Sequence, residues 1–165
     1  MPGLKSINRS YPLDVLATIL SRGRTSRLVR ELREEQGLVT HISASNLTYA
    51  HQGLFYVSAQ LPRENVERVE AAIAQHIARL WEEPITAGEL ARVKTRVANS
   101  FIFANETPSN RAGLYGYYET LTGDMHQGIQ YPRAIRQLSL DNLQGAARSW
   151  LNPEAYGLIA VHPAP

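Results

Sequence analysis

The chain of 165 residues carries 17 basic and 15 acidic side chains, and 44% of its positions are hydrophobic. That is one domain's worth of sequence with enough apolar material for a sizeable core. The net charge of +2 is too even for a protein that grips duplex phosphates broadly. With no cysteine, disulfides, thiolate metal sites and cysteine nucleophiles are excluded. The opening "MPGLKSINRSYPLDV" has no apolar core of signal-peptide length, and no run approaches a membrane span.

Residues 1–10 read as an irregular lead-in to a single domain, 1–165. From Pro12, Leu13, Leu16, Ile19 and Leu20 recur at helical spacing. Gly23 interrupts, and a second helical run carries Leu28, Val29 and Leu32 to Gly37, a residue suited to a left-handed helix end. Two strands follow. Leu38 to Tyr49 is rich in Thr, Ile and Ser, and Leu54 to Leu61 sets Phe55, Val57, Ala59 and Leu61 against Tyr56, Ser58 and Gln60. "AHQG" (Ala50 to Gly53) joins them at hairpin length.

The rest is mostly helical. Val66, Val69, Ile73, Ile77 and Leu80 make one amphipathic stripe, which Pro84 ends. "TAGE" at Thr86–Glu89 is a capping box opening a helix with Leu90, Val93, Val97 and Phe101 on its apolar face. Thr107 caps the next helix with Pro108 in its first position, leading to Leu114, Tyr117, Tyr118 and Leu121. A loop with Gly123 and Gly128 precedes a helix capped by Ser139, and "AYGLIAVH" (Ala155 to His162) reads as a last strand. The order predicts an α+β fold, a small antiparallel sheet covered by helices on one face.

The chemistry-bearing motifs are few. "SRGRTSRLVRELREEQGLVTHIS" (Ser21 to Ser43) holds five arginines in its first thirteen positions, but lacks the glycines and Lys-Ser/Thr of a phosphate loop. Glu31, Glu34 and Glu35 share its turns and no aromatic is interleaved, so it reads as a solvated face and not a nucleic-acid site. No two of His41, His51, His76, His126 and His162 stand at helical ligand spacing, and there is no Gly-x-Ser-x-Gly elbow. His76 falls on an apolar stripe as a core histidine. Gly113 and Gly116 read as a close-packing face. Arg33, at a helix end, is by position a cation favoured by the helix dipole.

"LDVLATILSRGRTSRLVRELREEQGLV", "GLFYVSAQ", "ITAGELARVKTRVANSF", "ETPSNRAGLYGYYETL" and "LSLDNLQGAARSWLNPEAYGLIAV" together resemble the M16 zinc metallopeptidases, the pitrilysin, insulin-degrading and mitochondrial-processing group. The likeness runs from about Tyr11 to Val161 and is to the family's C-terminal, non-zinc domain. It implies an M16 fold incomplete at its N-terminus, with the preceding strands and a zinc-bearing N-terminal domain lying ahead of Met1 in a longer bacterial protein. The resemblance places no cofactor in this chain and zinc in that other domain. Its implied partners are a peptide substrate, the N-terminal domain of the same chain and a second M16 half, in a homo- or heterodimer. Periplasm and cytoplasm are both compartments the resemblance allows.

In the family an arginine, and a tyrosine seven residues later, donate hydrogen bonds to the scissile carbonyl. Arg33 matches the arginine, whereas Thr40 stands at the tyrosine position with a side chain too short to reach the same point. The resemblance therefore implies a chamber wall with Arg33 as carbonyl donor. The alternatives are a catalytically silent scaffold or partner subunit, and a stand-alone module that binds peptides by strand addition.

Overall fold

The computed structural model describes residues 1–83 and 85–162. Its spine is α1 (Ile7–Ser21). Leu13, Val15, Leu16, Ala17, Ile19 and Leu20 are all buried, so α1 hides every side and not one stripe. The reason is position: α1 touches the hairpin, the helix Ala87–Ala104 and the two last helices of the chain. Residues 1–10 are therefore not an irregular lead-in. Leu4–Ser6 form a turn of 3-10 helix, α1 begins at Ile7, and Pro12 lies inside it.

After Gly23, which takes φ +99°, the chain enters a π-helical segment, Val29–Glu35. Val29 and Leu32 are its buried residues, and Leu28, just before it, is buried too. Gly37 ends the segment at φ +61°, and the Leu38 N–H reaches back to the Leu32 carbonyl at 2.8 Å. That is the left-handed helix stop the glycine predicts.

β1 (His41–Thr48) and β2 (Gly53–Gln60) pair antiparallel, His41 opposite Gln60 and Thr48 opposite Gly53. The loop is Tyr49–Gln52, closed by Tyr49 N–H donating to the Gln52 carbonyl at 3.0 Å. Along β2, Phe55, Val57 and Ala59 turn toward the core and Leu54, Tyr56 and Ser58 toward solvent, as the alternation requires.

α2 (Val66–Glu82) buries Val69, His76, Ile77 and Leu80; Pro84 lies outside the described residues. α3 (Ala87–Ala104) starts at Thr86, whose hydroxyl accepts from Glu89 N–H. The reciprocal half of the expected capping box is not made, because the Glu89 carboxylate is taken by Arg27. α4 (Pro108–Thr122) has Thr107 as cap, Pro108 first and Gly123 left-handed at its end. α6 (Leu140–Trp150) begins with a complete capping box between Ser139 and Asn142.

Three further expectations fail. The loop after Gly123 is largely a helix, α5 (His126–Gln137), which the reading missed because Gly128 and Pro132 look like breakers. Gly128 serves packing: a Cβ there would stand 2.6 Å from the Tyr118 ring, so this glycine lets α5 lie against α4. Gly113 and Gly116, expected to form such a contact, face open space. The last strand is also absent. Ala155–His162 has no ladder partner among the described residues, and Ile159 and Val161 are each 89% exposed. An alternating apolar run becomes a strand only when a neighbour supplies the hydrogen bonds. The fold is thus α+β, with a two-stranded antiparallel sheet, six α-helices and the π-helical segment among the described residues.

Candidate functional site

Arg33 sits in the last turn of the π-helical segment, five residues before the buried pair Leu38–Val39 carries the chain into the hairpin. Its Nε and Nη2 both donate to Glu34 Oε1, at 2.9 and 2.6 Å. Glu34 Oε2 accepts from Arg24 at 2.8 Å, and these two guanidinium groups, Arg33 first, hold the Glu34 carboxyl below its usual range. Nη1 of Arg33 has no hydrogen-bond partner among the described residues, so one edge of a partly exposed, oriented guanidinium remains available. Thr40 spends both donors on one acceptor: its N–H and its hydroxyl reach the Gln60 carbonyl at 2.8 and 3.0 Å. The structure therefore ties Thr40 to the sheet edge instead of joining it to Arg33 in a two-donor set.

The arginine-rich stretch is largely neutralised. Arg24 and Arg33 share Glu34, Arg30 lies 3.5 Å from Glu35, and Arg27 meets Glu89 of α3 through two hydrogen bonds. The Arg27 pair departs from the solvated-face reading: its side chains are only 16% and 22% exposed. It latches the segment after Gly23 to the start of α3. His76 is buried, with Nε2 3.0 Å from Glu31 Oε2 and Arg79 on the same oxygen at 3.3 Å. Burial, the largest cause, keeps its imidazole below the usual pKa against the pull of Glu31.

A second polar cluster was not foreseen. Asp14, on α1 amid apolar neighbours, accepts from Asn46 Nδ2 of β1 at 2.8 Å and from the Tyr131 hydroxyl of α5 at 2.9 Å. Asn46 Nδ2 also reaches Ser10 Oγ at 2.9 Å, and Ser10 Oγ lies 2.5 Å from Thr48 Oγ1. Tyr11 stands edge-on to Tyr131 with centroids 5.0 Å apart. Burial pushes the Asp14 carboxyl up to about 6, against the two donors that pull it down. The same burial, reinforced by the Asp14 charge, pushes the Tyr11 phenol up to about 12 and Tyr131 higher. The available signal was a lone aspartate inside "LDVLATIL", a charge in a segment otherwise fit for full burial. Its partner Tyr131 was hidden in the missed helix.

The zinc of the M16 resemblance does not fit here: among the described residues no three His, Cys, Asp or Glu side chains are grouped to hold a metal ion. No described helix is long and apolar enough to cross a membrane.

Comparison with known proteins agrees with this architecture. The family model for the peptidase M16 inactive domain matches residues 1–97. The uncharacterized zinc protease YmxG of Bacillus subtilis is 24% identical over 156 residues, 94% of this chain and 38% of that protein. The chain thus spans well under half the length of this relative. A crystal structure of a protease from Helicobacter pylori superposes with a TM-score of 0.79 at 23% identity, covering 90% of this chain and 36% of that one. A chain of complex III from Candida albicans superposes with a TM-score of 0.77 at 16% identity, covering 90% of this chain and 37% of its own length. Likeness at these identities shows the fold.

Proposed function

The chain belongs to the peptidase M16 family as its inactive domain, and from that premise we propose that it forms one wall of the peptide-degrading chamber of a zinc-dependent metalloendopeptidase. Arg33 is the residue that meets the substrate. The observation carrying this reading is the state of its guanidinium: Glu34 fixes Nε and Nη2 and leaves Nη1 without a partner among the described residues. A donor held in this way can meet a peptide carbonyl with little further ordering, and it favours the oxygen most as negative charge develops there. The π-helical geometry of Val29–Glu35 supports the reading, since such segments are frequent at functional sites. Thr40 has no part in substrate contact. Metal and water activation belong to a domain outside this sequence, and the wall works beside that domain and a second M16 half.

The test is Arg33→Ala in the full-length protein. Turnover of an extended peptide falls about 100-fold, the usual loss for one oxyanion donor, while the melting temperature moves little because the Arg33–Glu34 pair is at the surface. Unchanged turnover returns Arg33 to a helix-end cation.

The catalytically silent scaffold is the second reading, and Thr40 favours it. A hydroxyl committed to the Gln60 carbonyl leaves the carbonyl-binding pair incomplete. Wild-type full-length protein with no peptidase activity, but with a stable M16 partner on purification, decides for the scaffold.

A further inference from the structure

The cleft beside Asp14 has no role in the wall reading. It encloses about 650 Å³ between α1, the end of β1 with its loop, α4 and α5, within the usual range for small-ligand sites. Asp14 lies in its lining, with the rings of Tyr11, Tyr117, Tyr118 and Tyr131 around it. The rim adds Leu47, Tyr49 and Leu121, all exposed.

We propose that this cleft binds an alkyl cation, an ammonium or guanidinium on an aliphatic stem such as the side chain of lysine or arginine, with its head on Asp14 and its stem along Leu47 and Leu121.

Three observations select that chemistry. Asp14 has no Lys, Arg or His within salt-bridge distance among the described residues. Its two oxygens each accept one neutral hydrogen bond, which leaves acceptor capacity on both. Asn46 Oδ1, in the same lining, is buried with no donor. A carboxylate with spare lone pairs and no counter-charge, beside an amide oxygen that lacks a donor, calls for a donor-rich group, and an anion would be repelled. The apolar rim favours a stem over a small hydrated ion, as snorkelling side chains do elsewhere. The rise in the Asp14 pKa agrees with a carboxylate held without a counter-charge.

The cation can come from a basic residue of a peptide or from a free polyamine. The peptide source alone rests on the chamber reading. Titration of the purified chain with n-butylguanidine, n-butanol, spermidine and the peptide Ala-Ala-Ala-Lys-Ala-Ala, followed by tyrosine fluorescence and amide NMR, separates these. Saturable n-butylguanidine binding is expected, with shifts centred on residues 46–49 and α5. Butanol binds at least about tenfold more weakly, and Asp14→Asn weakens the cation by a similar factor. Binding of the lysine peptide identifies a peptide side chain as the source; binding of spermidine without the peptide identifies the polyamine. Equal binding of butanol and n-butylguanidine, or no saturable binding of either, overturns the proposal. Should Asp14→Asn fail to fold, Leu121→Lys decides, because its tethered ammonium at the rim competes for Asp14. Unchanged n-butylguanidine affinity in that variant also overturns the proposal. None of these readouts depends on turnover, so a failure here is distinct from a failure of the Arg33 reading.

Discussion

Arg33 and Asp14 carry opposite charges in opposite surroundings. Arg33 lies at the surface in a chain of compensating charges, Arg24 to Glu34 to Arg33, where water screens each pair. Asp14 sits on the spine helix between strand and helix, satisfied only by neutral donors, so its charge is held at a cost. The difference teaches that local charge density is a poor guide to electrostatic consequence. Five arginines in thirteen positions mostly cancel against glutamates, while one aspartate in an apolar run joins three elements, α1, β1 and α5.

The strongest way to break the comparison is at Arg27, the one arginine of the stretch that is paired in a largely buried setting. Arg27→Ala leaves Glu89 uncompensated and is expected to cost about 3 kcal/mol. Thermal unfolding should show a loss of roughly 6–12 °C for a chain of this size. Arg24→Ala, at an exposed pair, is the control and should change stability by less than about 0.5 kcal/mol.

On the Asp14 side, Gly128→Ala should destabilise by about 2 kcal/mol, because the new methyl meets the buried Tyr118 ring and displaces α5 with Tyr131. Gly116→Ala meets nothing within 4 Å and should stabilise by about 0.5–1 kcal/mol through helix propensity. Chemical denaturation of the two variants gives opposite signs if the helix contact is as described.

The pH dependence sharpens the contrast further. Asp14 is raised from 3.8 to about 6, so the folded state binds the proton more tightly than the unfolded chain. Its contribution to stability is full below about pH 4 and is lost as pH rises through about 6. For this half-buried group, discounted for solvent screening, the change is about 1–2 kcal/mol. His76 acts in the other direction: its pKa is lowered, so its contribution is present above 6.5 and is lost as pH falls below that value. Between pH 4 and 6.5 the two oppose each other. Asp14→Asn should leave a stability curve that declines on acidification more steeply than wild type, read by denaturant midpoints at pH 5 and 7.

A small effect also belongs to Thr40. Thr40→Val removes a hydroxyl bond at an exposed edge that the backbone N–H already secures, and should cost under about 1 kcal/mol. A greater loss, measured by thermal unfolding, would give Thr40 a structural weight this geometry does not assign.

What the sequence alone determined is local. The caps at Thr86, Thr107 and Ser139, the left-handed stop at Gly37, and the two faces of β2 follow from steric and hydrogen-bonding rules acting within a few residues. The five-segment resemblance likewise carried the family. Tertiary structure decided the rest. Gly128 stands inside a helix because packing against Tyr118 outweighs its poor propensity, and Pro132 is carried in the same helix. Ala155–His162 is not a strand because a strand is a relation between two segments, and alternation in one cannot supply its neighbour. Arg33 was legible as a helix-end arginine, but its orientation by Glu34 and the commitment of Thr40 to Gln60 were not. The Asp14 cluster joins residues separated by 32 and 117 positions, and a pattern within one segment carries no information about contacts at that range.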